Sequence, residues 1–351
     1  MFGKKRSGPV IRTQYLKLHW DTEDPFIFAS HHEDDYPHGN TQQAPPLEEI
    51  SGRNLGRDYK KMFGFRMYHG KVVPGFPMHA HWGYETVTVP EAGFIDHFDS
   101  LGNQGRYGNG DVQWVSAGSM YLHDEMYPLA YDDRRNPNDI TQIMINLPLK
   151  DKGSEPEVRM MWSENIPIIE EKDENGKAVR IKMIAGSYGG TDALPPNSVS
   201  WAAVKENHIR ILLIKMSPDS MITLPAVPSS INRNLYFVNG SKVKIGGEEY
   251  VSSQRFKLEG DKEVTLTNGD SEGTFWLLEG KPIGEKMSSF GPAVLRTDKE
   301  VREALQYIRK EEFNNWPWDL IDKFHPKGTE RFIRFSDGRE ERPPAVKTSS
   351  S

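Results

Sequence analysis

Alternating apolar and polar residues form a series of short runs between residues 63 and 149. These runs cover residues 84–89, 94–98, 112–115 and 140–147. A period of two is typical of strands that bury one face, and Asn109-Gly110 is a favoured hairpin turn. Short strands at regular spacing, with no helical pattern between them, predict a β-barrel or a β-sandwich.

The same pattern returns in the second half of the chain. Its strand-like runs cover residues 209–216, 221–224, 235–237, 243–245, 264–267 and 275–278. The turns between them carry Asn239-Gly240, Gly246-Gly247 and Asn268-Gly269, which are again hairpin signals. We therefore predict an all-β protein in which two barrels follow one another along the chain.

One helix is predicted after the second β region, at residues 298–312. Thr297 and Glu300 have the spacing of a capping box, and Val301, Leu305 and Ile308 form an apolar stripe with helical period. Such a stripe is expected to dock on a sheet face. The charged sequence after Trp316 is predicted to be a mobile tail.

These patterns divide the chain into three predicted domains or segments. Residues 1–155 form the N-terminal barrel, with a long N-terminal loop. The second barrel covers residues 156–296, and the helix and mobile tail cover residues 297–351. The boundary near residue 155 follows from the charged, Gly- and Pro-marked sequence that separates the two β regions.

Composition narrows the possible functions. The net charge is −6 and the pI about 6.0, so no broad basic surface for nucleic acid is expected. No apolar run is long enough to span a membrane, and we expect a cytoplasmic protein. Cysteine is absent, which excludes disulfides and thiolate ligands, so a metal would have to bind nitrogen and oxygen atoms.

Candidate metal ligands lie between residues 75 and 128. His79, His81 and Glu85 share one parity, so a regular strand would point all three side chains the same way. His123 and Glu125 repeat the arrangement further along. The two groups would converge if the sheet closes into a barrel. Of the eleven histidines only His208 falls between residues 151 and 296, so the second barrel cannot repeat this site.

A second group of ligand-type residues contains His31, His32 and His38, with acidic residues between them. This group falls in a Pro-bearing segment at residues 20–60 that we interpret as a loop. Adjacent histidines on an irregular loop lack the fixed geometry of a metal site. A solvated loop is therefore the preferred interpretation, with a second metal site as the alternative.

The motifs around the first group resemble a known family. GFPMHAHWGYETVT has the form of the first cupin signature, and it resembles the pirin family together with DSLGNQGRYGNGDVQWVSAG, HDEMYP and the later LLEGKPIGEKMSSFGPAVLRTDKEVREALQYI. The resemblance implies a bicupin fold with one Fe(II) in the N-terminal barrel and none in the other. Mn, Ni, Cu and Zn are the alternative metals. The chain differs from the usual H-P-H-R-G of pirins in reading His79-Ala80-His81-Trp82-Gly83.

The implied ligand set is His79, His81, His123 and Glu125. General cupins favour a glutamate at the position of Glu85, so the two glutamates compete for the carboxylate place. We favour Glu125 and assign Glu85 to a supporting position, where it could orient a ligand imidazole. Further pocket candidates are Trp82, His97 and Gln113.

The resemblance implies two classes of function. The first is a quercetin 2,3-dioxygenase-like enzyme that acts on flavonols or related aromatic enols with dioxygen. In this hypothesis Glu125 also acts as a general base. The second is a non-catalytic, metal-dependent regulator that binds transcription factors or metabolic enzymes as protein partners. An isomerase on the same site is a third possibility, because fold does not fix function.

Overall fold

The computed structural model describes residues 8–345. Two compact units divide these residues, and neither unit is continuous in sequence. The first unit contains residues 30–165 and 285–345, and the second contains residues 8–29 and 166–284. The regular secondary structure of each unit is mostly β-strand.

The strands are numbered in chain order. The strands up to residue 161 are β1 (Val10–Tyr15), β2 (His19–Trp20), β3 (Phe26–Tyr36), β4 (Gly75–His81), β5 (Tyr84–Ala92), β6 (Phe94–Asp99), β7 (Gln104–Gly108), β8 (Val112–Ala117), β9 (Tyr121–Met126), β10 (Asn136–Asn146) and β11 (Glu157–Met161). The later strands are β12 (Ile168–Lys172), β13 (Ala178–Ala185), β14 (Ser187–Tyr188), β15 (Thr191–Asp192), β16 (Arg210–Met216), β17 (Met221–Leu224), β18 (Asn232–Asn239), β19 (Lys242–Ile245), β20 (Glu248–Val251), β21 (Gln254–Leu258), β22 (Val264–Asn268), β23 (Gly273–Gly280), β24 (Ser288–Phe290), β25 (Ala293–Leu295), β26 (Phe332–Arg334) and β27 (Glu340–Glu341). The α-helices are α1 (Leu47–Ile50) and α2 (Asp298–Glu311), and single 3-10 turns cover Leu149–Asp151, Trp201–Ala203 and Lys205–Asn207.

Two sheets enclose the core of the first unit. One has the order β11-β8-β5-β10-β3, and the other has the order β27-β26-β7-β6-β9-β4. Ile95 and Tyr107 from the second sheet pack with Ile140 and Met160 from the first. The alternation of the sequence places these apolar side chains on the inner faces, as the strand pattern predicts.

The second unit repeats this arrangement. A seven-stranded sheet in the order β1-β21-β18-β23-β16-β13-β12 packs against a four-stranded sheet in the order β17-β22-β19-β20. Leu212 and Leu235 of the larger sheet share one buried cluster with Val243 and Leu266 of the smaller sheet. The prediction of an all-β chain with two barrels is confirmed.

Two segments of the chain belong to a different unit from the one that the sequence pattern predicted. Strand β1 pairs along β21, so residues 8–29 lie with the second barrel rather than in the predicted N-terminal domain of residues 1–155. Residues 285–345 lie with the first barrel. The predicted second domain, residues 156–296, therefore extends past residue 284, where the second unit ends. Both differences arise from strand pairing between segments far apart in sequence, which local periodicity does not report.

Helix α2 begins with the predicted capping box. The Thr297 side chain accepts a hydrogen bond from the Glu300 backbone, and the Glu300 carboxylate accepts one from the Thr297 backbone. Val301 packs against β25, and Ile308 packs on the outer face of β4, β6 and β9. The predicted docking of the apolar stripe is confirmed. Within residues 8–345, neither helix is long and apolar enough to cross a membrane.

The segment after α2 is not a mobile tail as far as residue 345. Strand β26 pairs with β7 and extends the sheet of the first unit. The backbone N–H of Lys323 donates to Asp124, and that of His325 donates to Asp96. These two buried carboxylates hold residues 320–334, here called the strap, against β6 and β9. Residues 346–351 lie outside the described residues.

The His31 and His32 cluster is also not a loop. Both residues lie on β3, and their side chains make separate contacts. The imidazole of His31 lies 2.8 Å from Asp139, whereas His32 lies 3.0 Å from the Ser30 hydroxyl. Because neighbouring strand residues point to opposite faces, the two imidazoles do not share one site. The loop interpretation was wrong for His31 and His32, whereas His38 lies after the end of β3 in irregular chain.

Candidate metal centre

Strands β4 and β9 bring three histidines together. His79 lies directly opposite His123 in the antiparallel pair, and His81 is two residues further along β4. The Nε2 atom of His123 lies 2.8 Å from Nε2 of His81 and 3.1 Å from Nε2 of His79. His81 and His123 are buried, whereas the His79 side chain is 32% exposed. The site is therefore open on the His79 side.

Glycine at position 75 permits the close approach of these strands. A Cβ atom on this residue would lie 2.4 Å from the backbone oxygen of Glu125, and its φ of +130° disfavours other residues. The pairing then shifts register between Phe76 and His79. This bulge sets which side chains of β4 face the centre.

The hydrogen bonds of the imidazoles direct their Nε2 atoms inward. His79 Nδ1 lies 3.0 Å from the carbonyl oxygen of Pro77. A carbonyl only accepts, so this nitrogen carries the proton and Nε2 presents a lone pair. His81 Nδ1 lies 2.5 Å from the Tyr84 hydroxyl, and this hydrogen bond holds the orientation of that ring. The two Nε2–Nε2 distances to His123 match the spacing of neighbouring ligands around a metal bound at about 2.1 Å, and the ligand atoms of all three histidines lie within 4.8 Å of one another.

Burial keeps these imidazoles in the form that binds metals. Desolvation lowers the pKa of His79, and it lowers the pKa of His81 and His123 well below the ordinary value. Neutral imidazole is the ligand form of histidine. The donor set therefore fits a divalent metal without needing a change of protonation.

Glu125 lies beside this cluster. Its Oε2 atom is 3.7 Å from His123 Nε2 and 3.9 Å from His79 Nε2. The Gln142 amide donates to both carboxylate oxygens, and the Thr88 hydroxyl donates to Oε1 at 3.3 Å. A buried carboxylate needs such partners. The acid is thereby fixed within 4 Å of the Nε2 atoms of His79 and His123.

Glu85 does not share a strand with the two histidines of β4. Gly83, at a φ of +88°, turns the chain between His81 and β5, so the argument from common parity was wrong. The Glu85 carboxylate accepts hydrogen bonds from Trp114 Nε1 at 2.9 Å and from Ser116 Oγ at 2.6 Å. These bonds anchor it to β8.

The other pocket candidates have different positions. His97 is buried with its ring centroid 5.4 Å from that of His123, and its Nε2 lies 3.3 Å from Asp99. Gln113 is buried and accepts a hydrogen bond from the Tyr107 hydroxyl. Both lie in the barrel interior, on the strands that surround the centre.

Trp82 does not belong to the centre. It packs in the clusters that contain Ala293 and Ile308, and its ring meets the edge of Tyr307 on α2. Ala80 on β4 and Trp82, directly after this strand, have the parity opposite to His79 and His81. The tryptophan therefore supports the helix from the outer face of the strand, which the sequence alone left open.

Two residues of the site, Thr88 and Gln142, were not predicted from the sequence. They lie opposite each other in the β5–β10 pair, and Thr88 is also opposite Gln113 in the β5–β8 pair. Gln142 stands in the mainly apolar run ITQIMINL. A polar residue in a buried strand is the signal that could have identified it.

Comparison with known proteins agrees with this fold. The Pirin family model matches residues 10–145, and the model of the pirin C-terminal cupin domain matches residues 211–314. A quercetin 2,3-dioxygenase structure from Acinetobacter baumannii superimposes with a TM-score of 0.67 at 20% identity, covering 87% of this chain and 98% of the other. Two cupin barrels in one chain define a bicupin protein.

Two relatives give the sequence relationship. A pirin-like protein of Arabidopsis thaliana is 32% identical over 271 residues, which cover 72% of this chain and 81% of the relative. A Thermoplasma acidophilum protein, provisionally named quercetin 2,3-dioxygenase, is 27% identical over 246 residues, or 68% and 92% of the two chains. The chain belongs to the pirin family.

Proposed function

We propose that this chain is a metal-dependent dioxygenase that acts on flavonol-type or related aromatic enolic substrates. The metal ligands are His79, His81, His123 and Glu125, and the metal is Fe(II). The observation that carries the proposal is the convergence of three imidazole Nε2 atoms beside a fixed carboxylate. The provisional name of the Thermoplasma acidophilum relative supports the substrate class.

A bound Fe(II) would supply Lewis acidity toward a chelating substrate oxygen and redox chemistry toward dioxygen. The protein contributes the orientation of the ligands. Pro77 and Tyr84 hold the rings of His79 and His81, so their Nε2 atoms face one centre. Preorganised ligands of this kind lower the cost of metal binding.

Substrate reaches the centre from the His79 side, where the site is open. Phe76 lies beside this opening, with its ring centroid 6.2 Å from that of His79. An aromatic side chain at this place can pack against a flat aromatic substrate. Its packing positions the enolic hydroxyl toward the carboxylate.

Glu125 accepts the proton of that hydroxyl in this proposal. General bases act within hydrogen-bond reach of the proton they remove. Gln142 and Thr88 donate to the carboxylate, so its oxygens stay oriented before substrate enters. Deprotonation yields the electron-rich enolate that dioxygen oxidises.

Oxygen consumption tests the proposal directly. Protein loaded with Fe(II) without air is mixed with quercetin in an oxygen electrode, and products are identified by mass spectrometry. The wild type is expected to consume dioxygen with quercetin, while His123→Ala does not. His208→Ala, in the second unit, serves as the matched control and keeps the activity. Loaded wild-type protein that leaves quercetin and dioxygen unchanged would contradict the proposal.

A further inference from the structure

A cavity of about 300 Å³ lies within the second unit. One wall is apolar and contains Leu194, Pro195, Pro196 and Val227. Cavities of this volume with a mainly apolar wall and a few polar groups are typical of small-molecule sites.

The positive and negative charges of the side chains at this cavity do not balance. Arg210 lies on the lining, and its Nη1 atom is 2.5 Å from Oε2 of Glu279. Behind it, Nε of Arg233 is 2.6 Å from Oε1 of the same carboxylate. Two guanidinium groups thus share one carboxylate and leave a charge of +1. Lys205 and Asp192, which also line the cavity, form an ion pair of their own at 3.1 Å.

The three residues that carry this excess positive charge are largely buried. Arg233 is fully buried, Glu279 is 1% exposed, and the Arg210 side chain is 16% exposed. An uncompensated charge away from water is costly. Desolvation, together with repulsion from Arg210, lowers the pKa of Arg233, although Glu279 opposes the shift. An anion in the cavity would compensate the charge.

Donors are available for such an anion. Arg210 Nε donates to the backbone oxygen of Ser187, which fixes the plane of the guanidinium. Among residues 8–345, its Nη2 atom has no hydrogen-bond partner. His208 lines the cavity from a left-handed backbone position, at a φ of +50°, directly after a 3-10 turn. A guanidinium edge suits the two oxygens of a carboxylate.

We propose that this cavity binds a small aromatic carboxylate. The carboxylate lies on Arg210 and His208, and the ring lies against Pro195, Pro196 and Val227. A free inorganic anion would leave the apolar wall unused, and a neutral aromatic molecule would leave the excess charge uncompensated. The excess positive charge and the apolar wall together favour a ligand that has both a carboxylate and an aromatic ring.

Calorimetric titration tests the proposal with 2-naphthoate and its neutral analogue 2-naphthalenemethanol. The full-length protein is expected to bind the carboxylate at least about tenfold more tightly than the alcohol. Arg210→Gln should weaken 2-naphthoate binding by about tenfold or more, because it removes the excess charge and the free donor. Glu279 keeps Arg233 as its partner in this variant, so folding is expected to survive.

Three further variants complete the test. Arg180→Gln, at an exposed position of the same unit, changes the net charge equally and should leave binding unchanged. Ala203→Trp fills the cavity without changing charge and should abolish binding. His123→Ala separates binding at the metal centre from binding here, and its affinity should equal that of the wild type.

Three results would overturn the proposal. The first is a wild type that binds both compounds equally or neither. The second is an Arg210→Gln variant with unchanged affinity for 2-naphthoate, or a folded Ala203→Trp variant that still binds it. The third is binding that disappears in His123→Ala, since that result would place the ligand at the metal centre.

Discussion

The Nε2 atom of Gln142 lies 3.0 Å from Oε2 and 3.1 Å from Oε1 of Glu125, so one amide group contacts both oxygens of the carboxylate. The two residues belong to different sheets of the first unit, because Gln142 is on β10 and Glu125 is on β9. This contact therefore connects the two sheets at the candidate metal centre. It also fixes the carboxylate before any metal binds.

Loss of this amide should weaken metal binding. Gln142→Met keeps the length of the side chain and removes both hydrogen bonds to Glu125. We expect the affinity for Fe(II) or Co(II) to fall by about 10- to 100-fold, as is typical when a partner of a ligand is removed. Competition with a chromophoric chelator measures the change. Gln104→Met, on β7, is the control, and equal affinities in the two variants would contradict this role.

The two glutamates should differ in their effect on metal retention. Glu125→Gln replaces an anionic oxygen by a neutral amide, and the metal content after dialysis should fall sharply. Glu85→Gln should retain more metal than Glu125→Gln, because the Glu85 carboxylate accepts hydrogen bonds from Trp114 and Ser116 on β8. Elemental analysis after equal dialysis distinguishes the variants. Loss of metal from Glu85→Gln alone would reverse the ligand assignment.

The strap should contribute to the stability of the first unit. Termination of the chain after residue 315 removes the backbone donors of Lys323 and His325, and Asp124 and Asp96 each lose one of their hydrogen bonds. A hydrogen bond contributes about 0.5–3 kcal/mol, depending on whether its acceptor is neutral or charged, so the free energy of unfolding should fall by at least about 1 kcal/mol. Urea denaturation measures it. Removal of residues 346–351 alone is the control, and equal stability of the two truncated chains would refute the role.

Lys152 should make stability depend on pH. Its Nζ donates to the backbone oxygens of Gly83 and Val294 and to Asn146 Oδ1, and burial lowers its pKa from the ordinary 10.5 to about 7. Between these two values the unfolded chain binds a proton that the folded chain does not, so stability rises with pH. The whole gain in stability is present above the pKa of 10.5 that Lys152 has in the unfolded chain. It is lost as the pH falls through the folded pKa of about 7.

Lys152→Met removes the titrating amino group, so the pH dependence of its stability serves as the comparison for the wild type. Between pH 7 and about pH 9.5, the free energy of unfolding of the wild type should rise more steeply than that of the variant, by up to ~1.4 kcal/mol per pH unit. Lys150→Met, at an exposed neighbouring position, should keep the wild-type slope. Parallel curves for the wild type and Lys152→Met would show that Lys152 stays charged when folded.

Local patterns in the sequence predicted the elements well. The residues 221–224 were predicted as a strand and form β17 with the same bounds, because apolar and polar residues alternate between two clear turns. The capping box at Thr297 and Glu300 located the start of α2 to the residue. In both places the determining contacts are between residues close in sequence.

Contacts between distant residues could not be predicted in this way. The hydrogen bond from Gln142 to Glu125 depends on how two sheets face each other, and the pairing of β26 with β7 joins residues more than 200 positions apart. The strand assignment of Glu85 failed for a local reason, since Gly83 adopts a positive φ that the alternation pattern does not contain. The placing of His79, His81 and His123 followed from the H-x-H motif and the later histidine.

The metal content of the purified protein tests the central claim most directly. After loading with Fe(II) without air and extensive dialysis, the wild type and His208→Ala should each retain about one metal ion per chain. His123→Ala should retain almost none, because it lacks one of three converging imidazoles. A wild type without bound metal, or a His123→Ala variant that retains as much as the wild type, would contradict the assignment of this cluster as the metal centre.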